Sequence, residues 1–134
     1  PRITGQLVAA VRERRDRFPD AMDTLIKVGG QVTSLAIEAL KEGDVARLGE
    51  LMDINQGLLQ AIGVSNRALD DLIYASKKAG ALGAKLSGAG GGGCMIALSR
   101  PREESRIAKA IGDAGGVPLT AKKADHGVEV REER

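Results

Sequence analysis

The sequence is short of the residues from which several kinds of site are built. It holds one cysteine, Cys94, so it can form no internal disulfide and no cysteine-rich zinc site. Its one histidine, His126, stands between Asp125 and Gly127 and reads as a turn residue rather than a metal ligand, because nothing beside it completes a ligand set. Phe18 and Tyr74 are the only aromatics, and no basic stripe carries aromatics between its charges. That absence, with a net charge of +2 and both signs mixed along the chain, argues against nucleic-acid binding. No run of about 18 apolar residues and no leader-like segment is present, so a protein working in the cytoplasm, off the membrane, is expected. Apolar residues are not lacking. They make up 43% of 134 residues, enough for one domain with a real core. The chain opens on Pro1 rather than Met, from which it is expected to be part of a longer protein.

Glycine is concentrated in one stretch, Lys85-Leu86-Ser87-Gly88-Ala89-Gly90-Gly91-Gly92-Gly93-Cys94, where five of the six residues from Gly88 to Gly93 are glycine. In a regular element each would cost roughly 0.5–1 kcal/mol relative to alanine, and a hairpin needs only about two turn residues. Such a run provides a backbone without Cβ atoms, which another backbone or a polyphosphate can approach closely. Ala84-Lys85-Leu86-Ser87 alternates before it and Cys94-Met95-Ile96-Ala97-Leu98 is apolar after it, so the loop is expected to join two strands. A Walker A loop is excluded, since no Lys follows the glycines. The dinucleotide pattern G-x-G-x-x-G can be laid over Gly88, Gly90 and Gly93, but it requires a helix next. On composition alone, a flexible connection between strands is favoured over a phosphate-facing loop. Cys94, entering an apolar run with no activating neighbour, is expected to be buried packing.

Along the chain, Thr4 can cap a first helix with Leu7, Val8 and Val11 on one face. Arg12-Glu13-Arg14-Arg15-Asp16-Arg17 reads as its solvated end, with a phosphate-binding patch the less favoured alternative. Pro19 stops or bends the chain. Asp20 can cap a second helix, which Gly29-Gly30 can kink or open to a close neighbour, and which Gly43 ends. Asp44 caps a third. There Val45, Leu48, Met52, Leu59 and Ile62 recur at helical spacing, with Asn55 on the same stripe and Asp53 and Gln56 beside it. A buried amide without partners costs about 1–3 kcal/mol, so Asn55 is either a satisfied packing residue or the edge of a cleft. Gly63 ends this helix. Ser65 can cap a fourth, with Leu69, Leu72, Ile73 and Ser76 inward and Gly80 at its end. After the strands at 83–87 and 94–99, Pro101 suits the first turn of a fifth helix bearing Ile107, Ala108 and Ile111. Gly115-Gly116 closes it. Residues 117–123 and 128–131 read as two strands, or one bent strand, and 131–134 as a frayed end. Helices first, then strands around one more helix, argue an α+β fold: a helical layer packed on a small antiparallel sheet.

The stretch from Lys85 to Cys94 resembles the third motif of the GHMP kinases, and within that superfamily it is most similar to the mevalonate kinases. Gly57-Leu58-Leu59, Gly63-Val64-Ser65, Leu69 and Ala79-Gly80-Ala81 resemble the helical lead-in to that motif. Ser87 stands where many members carry Thr, which keeps the hydroxyl. The resemblance is clearest from about Leu51 to Leu98. It implies a ferredoxin-like C-terminal domain whose first strand lies upstream of Pro1. It also implies phosphoryl transfer from ATP, with Mg2+, to the 5-hydroxyl of mevalonate. The family's phosphate loop, catalytic Asp and catalytic Lys belong to an N-terminal domain. No Pro-x-x-x-Gly-Leu-Gly-Ser-Ser run occurs here, so neither a catalytic residue nor a metal ligand is expected in this chain. The resemblance assigns Ser87, Gly88, Ala89, Gly90, Gly91, Gly92 and Gly93 to the triphosphate wall. Lys85 either reaches phosphate or faces solvent. Asn55 and Gln56 would border the substrate cleft. The partners implied are mevalonate, ATP and the N-terminal domain, with a homodimer left open. Phosphomevalonate, galactose and homoserine kinases are the alternatives within the superfamily, and a non-catalytic ligand-binding or regulatory domain is the alternative outside it.

Overall fold

The computed structural model describes residues 3–121 and 127–128. Among the described residues, five helices and two strands follow in the order α1 (Ile3–Arg17), α2 (Pro19–Glu42), α3 (Val45–Ala61), α4 (Arg67–Lys78), β1 (Gly83–Ser87), β2 (Cys94–Leu98) and α5 (Glu104–Asp113). This is the expected α+β architecture, with the helices packed on an antiparallel pair.

The helix boundaries follow local chemistry. Pro19 takes the first position of α2, where its missing N–H is no loss. Asp20 therefore lies in the first turn instead of capping it, and its carbonyl accepts from Thr24 Oγ1 at 2.7 Å. Thr4 likewise lies inside α1. The second helix runs unbroken through Gly29-Gly30, and no neighbour comes within 4 Å of a Cβ built on either. Gly43 ends it at φ 71°. Asp44 caps α3 as expected, accepting from the Arg47 amide at 3.0 Å. The cap of α4 is Asn66, which accepts from the Leu69 amide at 3.0 Å, and not Ser65. Asn ranks at least with Ser at this position, and Ser65 is engaged elsewhere. Pro101 lies in a turn ahead of α5, not in its first turn.

Two apolar clusters hold the layers together. Val32 and Ala39 of α2 pack with Leu51 of α3, flanked by Val28, Ala36, Leu48 and Leu58. Val64, Leu69 and Leu86 form the second cluster, with Val11, Leu59, Ile62 and Met95 around them. The second lies where β1 runs into the glycine loop.

The sheet has two strands among the described residues, in a register from Gly83↔Leu98 to Ser87↔Cys94. Residues 117–121, expected in a strand, are irregular. Val117 and Leu119 are almost wholly exposed, and Pro118 has no amide to offer a ladder. Residues 122–123 and 129–131 of the expected strands, the turn residues 124–126 with His126, and the tail from 131 lie outside the described residues. The far edge of β1 faces α3 instead of a strand. Gly49, Asp53 and Gln56 form one stripe of α3 along it. The Ala84 amide donates to Asp53 Oδ1 at 3.0 Å and the Leu86 amide to Gln56 Oε1 at 2.9 Å. Lys77 of α4 donates to the Leu82 carbonyl at 2.9 Å and pairs with Asp53 at 2.5 Å. Backbone approach is closest at Gly49 and Gly83. A Cβ on Gly49 would sit 2.5 Å from the Leu82 carbonyl oxygen, and one on Gly83 would overlap the Gly49 carbonyl.

That contact leaves no room for a methyl group, whereas Gly29 has room to spare. Urea denaturation should show Gly83→Ala destabilised by at least the 1–3 kcal/mol typical of overpacking. Gly29→Ala should be stabilised by up to about 1 kcal/mol through helix propensity. An unchanged midpoint for Gly83→Ala would contradict the backbone contact between α3 and β1.

Candidate functional site

The glycine loop has a defined shape. Gly88, Gly90, Gly91, Gly92 and Gly93 all have positive φ, from 73° to 134°, while no other residue type adopts it among the described residues. The run is thus required by the backbone path, because a Cβ is strained at each of these angles. The loop folds back onto the α3–α4 connection. Gly91 donates its amide to the Val64 carbonyl at 2.7 Å, and a Cβ on Gly90 would overlap that same oxygen. Gly92 passes beside Asn66, the cap of α4, whose Nδ2 is 3.9 Å from a Cβ built there. Gly88 and Gly93 border open space. Of the amides from Gly88 to Gly93, Gly91 alone donates to a protein acceptor outside the strand ladder among the described residues. Free amides, no side chain beyond the Ala89 methyl and an adjoining helix N-terminus suit an anion's oxygens, by hydrogen bonding and by the helix dipole.

The root of the loop is held by a polar cluster that sequence reasoning only touched. Gln56 is 5% exposed and fully engaged. Its Oε1 accepts from Leu86, and its Nε2 donates to Ser65 Oγ at 3.0 Å and to Asp70 Oδ1 at 3.1 Å. Ser65 Oγ also donates to Asp70 Oδ1, at 2.6 Å, and Gln60 Nε2 reaches it at 2.9 Å. Asp70 lies in the first turn of α4, where negative charge is favoured. Asp70 is not singled out by the sequence, and Ser65 reads there only as a helix cap within the lead-in to the loop, not as a partner of Gln56. The signal that could have found them is the polar stripe Asp53, Gln56, Gln60 at helical spacing on α3, which demands polar partners from whatever packs there.

The other expected residues fall as follows. Ser87 and Lys85 share one face of β1, opposite the buried Ala84 and Leu86. Lys85 is half-buried, and its Nζ donates to the Leu86 carbonyl at 2.8 Å. Burial holds its ammonium below the ordinary lysine value. Asn55 is half-buried on α3 and makes no side-chain hydrogen bond among the described residues. Cys94, expected to be buried, is exposed: it faces outward at the start of β2, where no described element covers it. The basic end of α1 is divided among contacts. Arg14 donates to the Ile62 carbonyl at the C-terminus of α3, where a cation complements the dipole. Arg15 pairs with Asp23, and the Arg17 guanidinium lies 5.2 Å from the Phe18 ring centre. No group of three or more His, Cys, Asp or Glu among the described residues could hold a metal ion.

The family model for the C-terminal part of GHMP kinases matches residues 36–117. The chain is 46% identical to a mevalonate kinase of Thermococcus sibiricus over 96% of its own length and 40% of that relative's. Its structure is similar to a crystal structure of L. major mevalonate kinase in complex with R-mevalonate, with a TM-score of 0.79 and 36% identity over 82% of this chain and 34% of that one. A Lactococcus lactis galactokinase complexed with galactose matches with a TM-score of 0.58 and 37% identity, over 63% of this chain and 22% of that one. The chain spans about 40% of the length of the curated relatives it matches.

Two outcomes follow from the loop's geometry. Gly90→Ala should destabilise the chain more than Gly88→Ala, since both add strain but only Gly90 meets the Val64 carbonyl; equal denaturation midpoints would contradict the close approach. For Lys85, the unfolded chain binds the proton more tightly than the folded one. Stability should therefore rise with pH just below the ordinary lysine value, and Lys85→Met should flatten that rise in a pH series of melting temperatures.

Proposed function

The chain belongs to the GHMP kinases, as their C-terminal domain, and from that premise we propose that it forms the second wall of a mevalonate kinase active site. In the full-length protein the reaction is phosphoryl transfer from Mg-ATP to the 5-hydroxyl of mevalonate, in the cytoplasm. The observation that carries the reading is the run of five positive-φ glycines, pinned at Gly91 and otherwise open in its amides. The 46% identity to a mevalonate kinase supports the choice of substrate.

ATP supplies the transferred phosphoryl group, and this chain's residues shape the space around it. Gly88 to Gly93, with Ala89, admit the triphosphate and offer N–H groups to its oxygens. Ser87 adds a hydroxyl at the loop's entrance. The Lys85 ammonium, already weakened in its hydration by burial, lies on the same strand face and complements phosphate charge. Asn55, half-buried and without a side-chain hydrogen bond among the described residues, would border the substrate side. Catalysis of this kind is mostly positioning and charge stabilisation. The phosphate loop, base and metal ligands are assigned to an N-terminal domain outside this sequence. A sugar kinase is the second reading, favoured by the similarity to galactokinase.

Assays of the full-length protein with ATP and either mevalonate or galactose separate the two: turnover of mevalonate alone is expected, and turnover of galactose alone would overturn the choice. In that protein Gly88→Ala and Gly93→Ala should raise the ATP KM or lower kcat by tenfold or more, about 1.4 kcal/mol in the transition state. The mevalonate KM should change far less. Two folded variants with wild-type kinetics would leave the loop as a turn.

A further inference from the structure

We infer that Gln56 is the positioning residue of the glycine loop, acting through Leu86 and Ser65 and not by touching substrate; the kinetic part of this inference rests on the phosphate-wall reading above. The side chain is 5% exposed. Its acceptor and both of its donor contacts are committed within the chain, which leaves it little to offer a ligand. What it joins is specific. Leu86 is two residues ahead of Gly88, at the root of the loop. Ser65 follows Val64, whose carbonyl takes the Gly91 amide at 2.7 Å, and precedes Asn66, the cap of α4. One amide thus sets the spacing between the strand that delivers the loop and the connection on which the loop's middle is anchored.

The two ends of the amide are not interchangeable. The carbonyl end meets a backbone donor, and the NH2 end meets a hydroxyl and a carboxylate. A carboxylate in place of the amide would keep the Leu86 contact and set like charges together at Asp70. Gln56→Glu therefore releases the α4 arm only, whereas Gln56→Met releases both. Neither change adds or removes an atom in the loop, so an effect on the loop must travel through these bonds.

Backbone amide hydrogen exchange of the chain, followed residue by residue, reads the effect directly. In Gln56→Met, exchange at Leu86 and Gly91 should quicken at least tenfold relative to the amides of α2 and α5 in the same molecule. In Gln56→Glu, Gly91 should quicken while Leu86 keeps most of its protection. Ser65→Ala, which leaves the buried amide in place, provides the test should Gln56→Met fail to fold, and should quicken Gly91 alone. In the full-length kinase the same variants should raise the ATP KM severalfold and leave the mevalonate KM unchanged. Loop amides that quicken only in step with α2 and α5, or not at all, would overturn the inference and make Gln56 a packing residue. A selective quickening with wild-type ATP kinetics would support the positioning role and instead overturn the phosphate wall.

Discussion

Everything near the loop depends on a helix lying where a sheet would ordinarily continue. The free edge of β1 presents its Ala84 and Leu86 amides to α3, and Asp53 and Gln56 accept them. Unpaired, each would cost about 1–3 kcal/mol in a buried setting and would also invite another strand. The arrangement works because Gly49 and Gly83 let the two backbones touch. With a Cβ on either, the helix would stand off and the side chains would no longer reach the amides. Lys77 closes the upper end by bridging Asp53 and the Leu82 carbonyl.

The edge contact has a consequence for the loop, because the same residues that seal β1 also orient the elements flanking it. Gln56 couples the strand to the first turn of α4. The connection between α3 and α4 couples in turn to Gly91. A loop made almost wholly of glycine would otherwise sample many conformations. Here its two ends are fixed by β1 and β2, and its middle by one carbonyl. The positive φ values are then affordable, and the unpaired amides are held in one arrangement ahead of any ligand. Preorganisation of this kind is what an electrostatic site for phosphate needs.

Much of the architecture was legible in the residues. Helical spacing, Gly43, Asp44 and the alternation before Ser87 located the helices and both strands. The motif from Lys85 to Cys94 located the loop and the family. The errors have physical sources. Two adjacent capping residues, Ser65 and Asn66, compete for one helix start, and the sequence does not say that Ser65 is claimed by Asp70. Cys94 lies in an apolar run, yet an outer strand of a small sheet exposes one of its faces. The sequence sets Asn55 on the apolar stripe of α3 and Gln56 beside it, but does not show that the amide packed against β1 is that of Gln56. Its importance comes from contacts 30 residues away in sequence, and local periodicity carries no trace of those.

The central claim is that α3 side chains complete the edge of β1, and scalar coupling across hydrogen bonds tests it most directly. In isotope-labelled chain, coupling should be seen from the Ala84 amide nitrogen to the side-chain carboxyl carbon of Asp53. A second should run from the Leu86 amide nitrogen to the side-chain carbonyl carbon of Gln56. Both should appear in spectra that also show the β1–β2 ladder. A visible ladder with neither side-chain coupling would contradict the account, since α3 would then merely lie against the sheet without satisfying it.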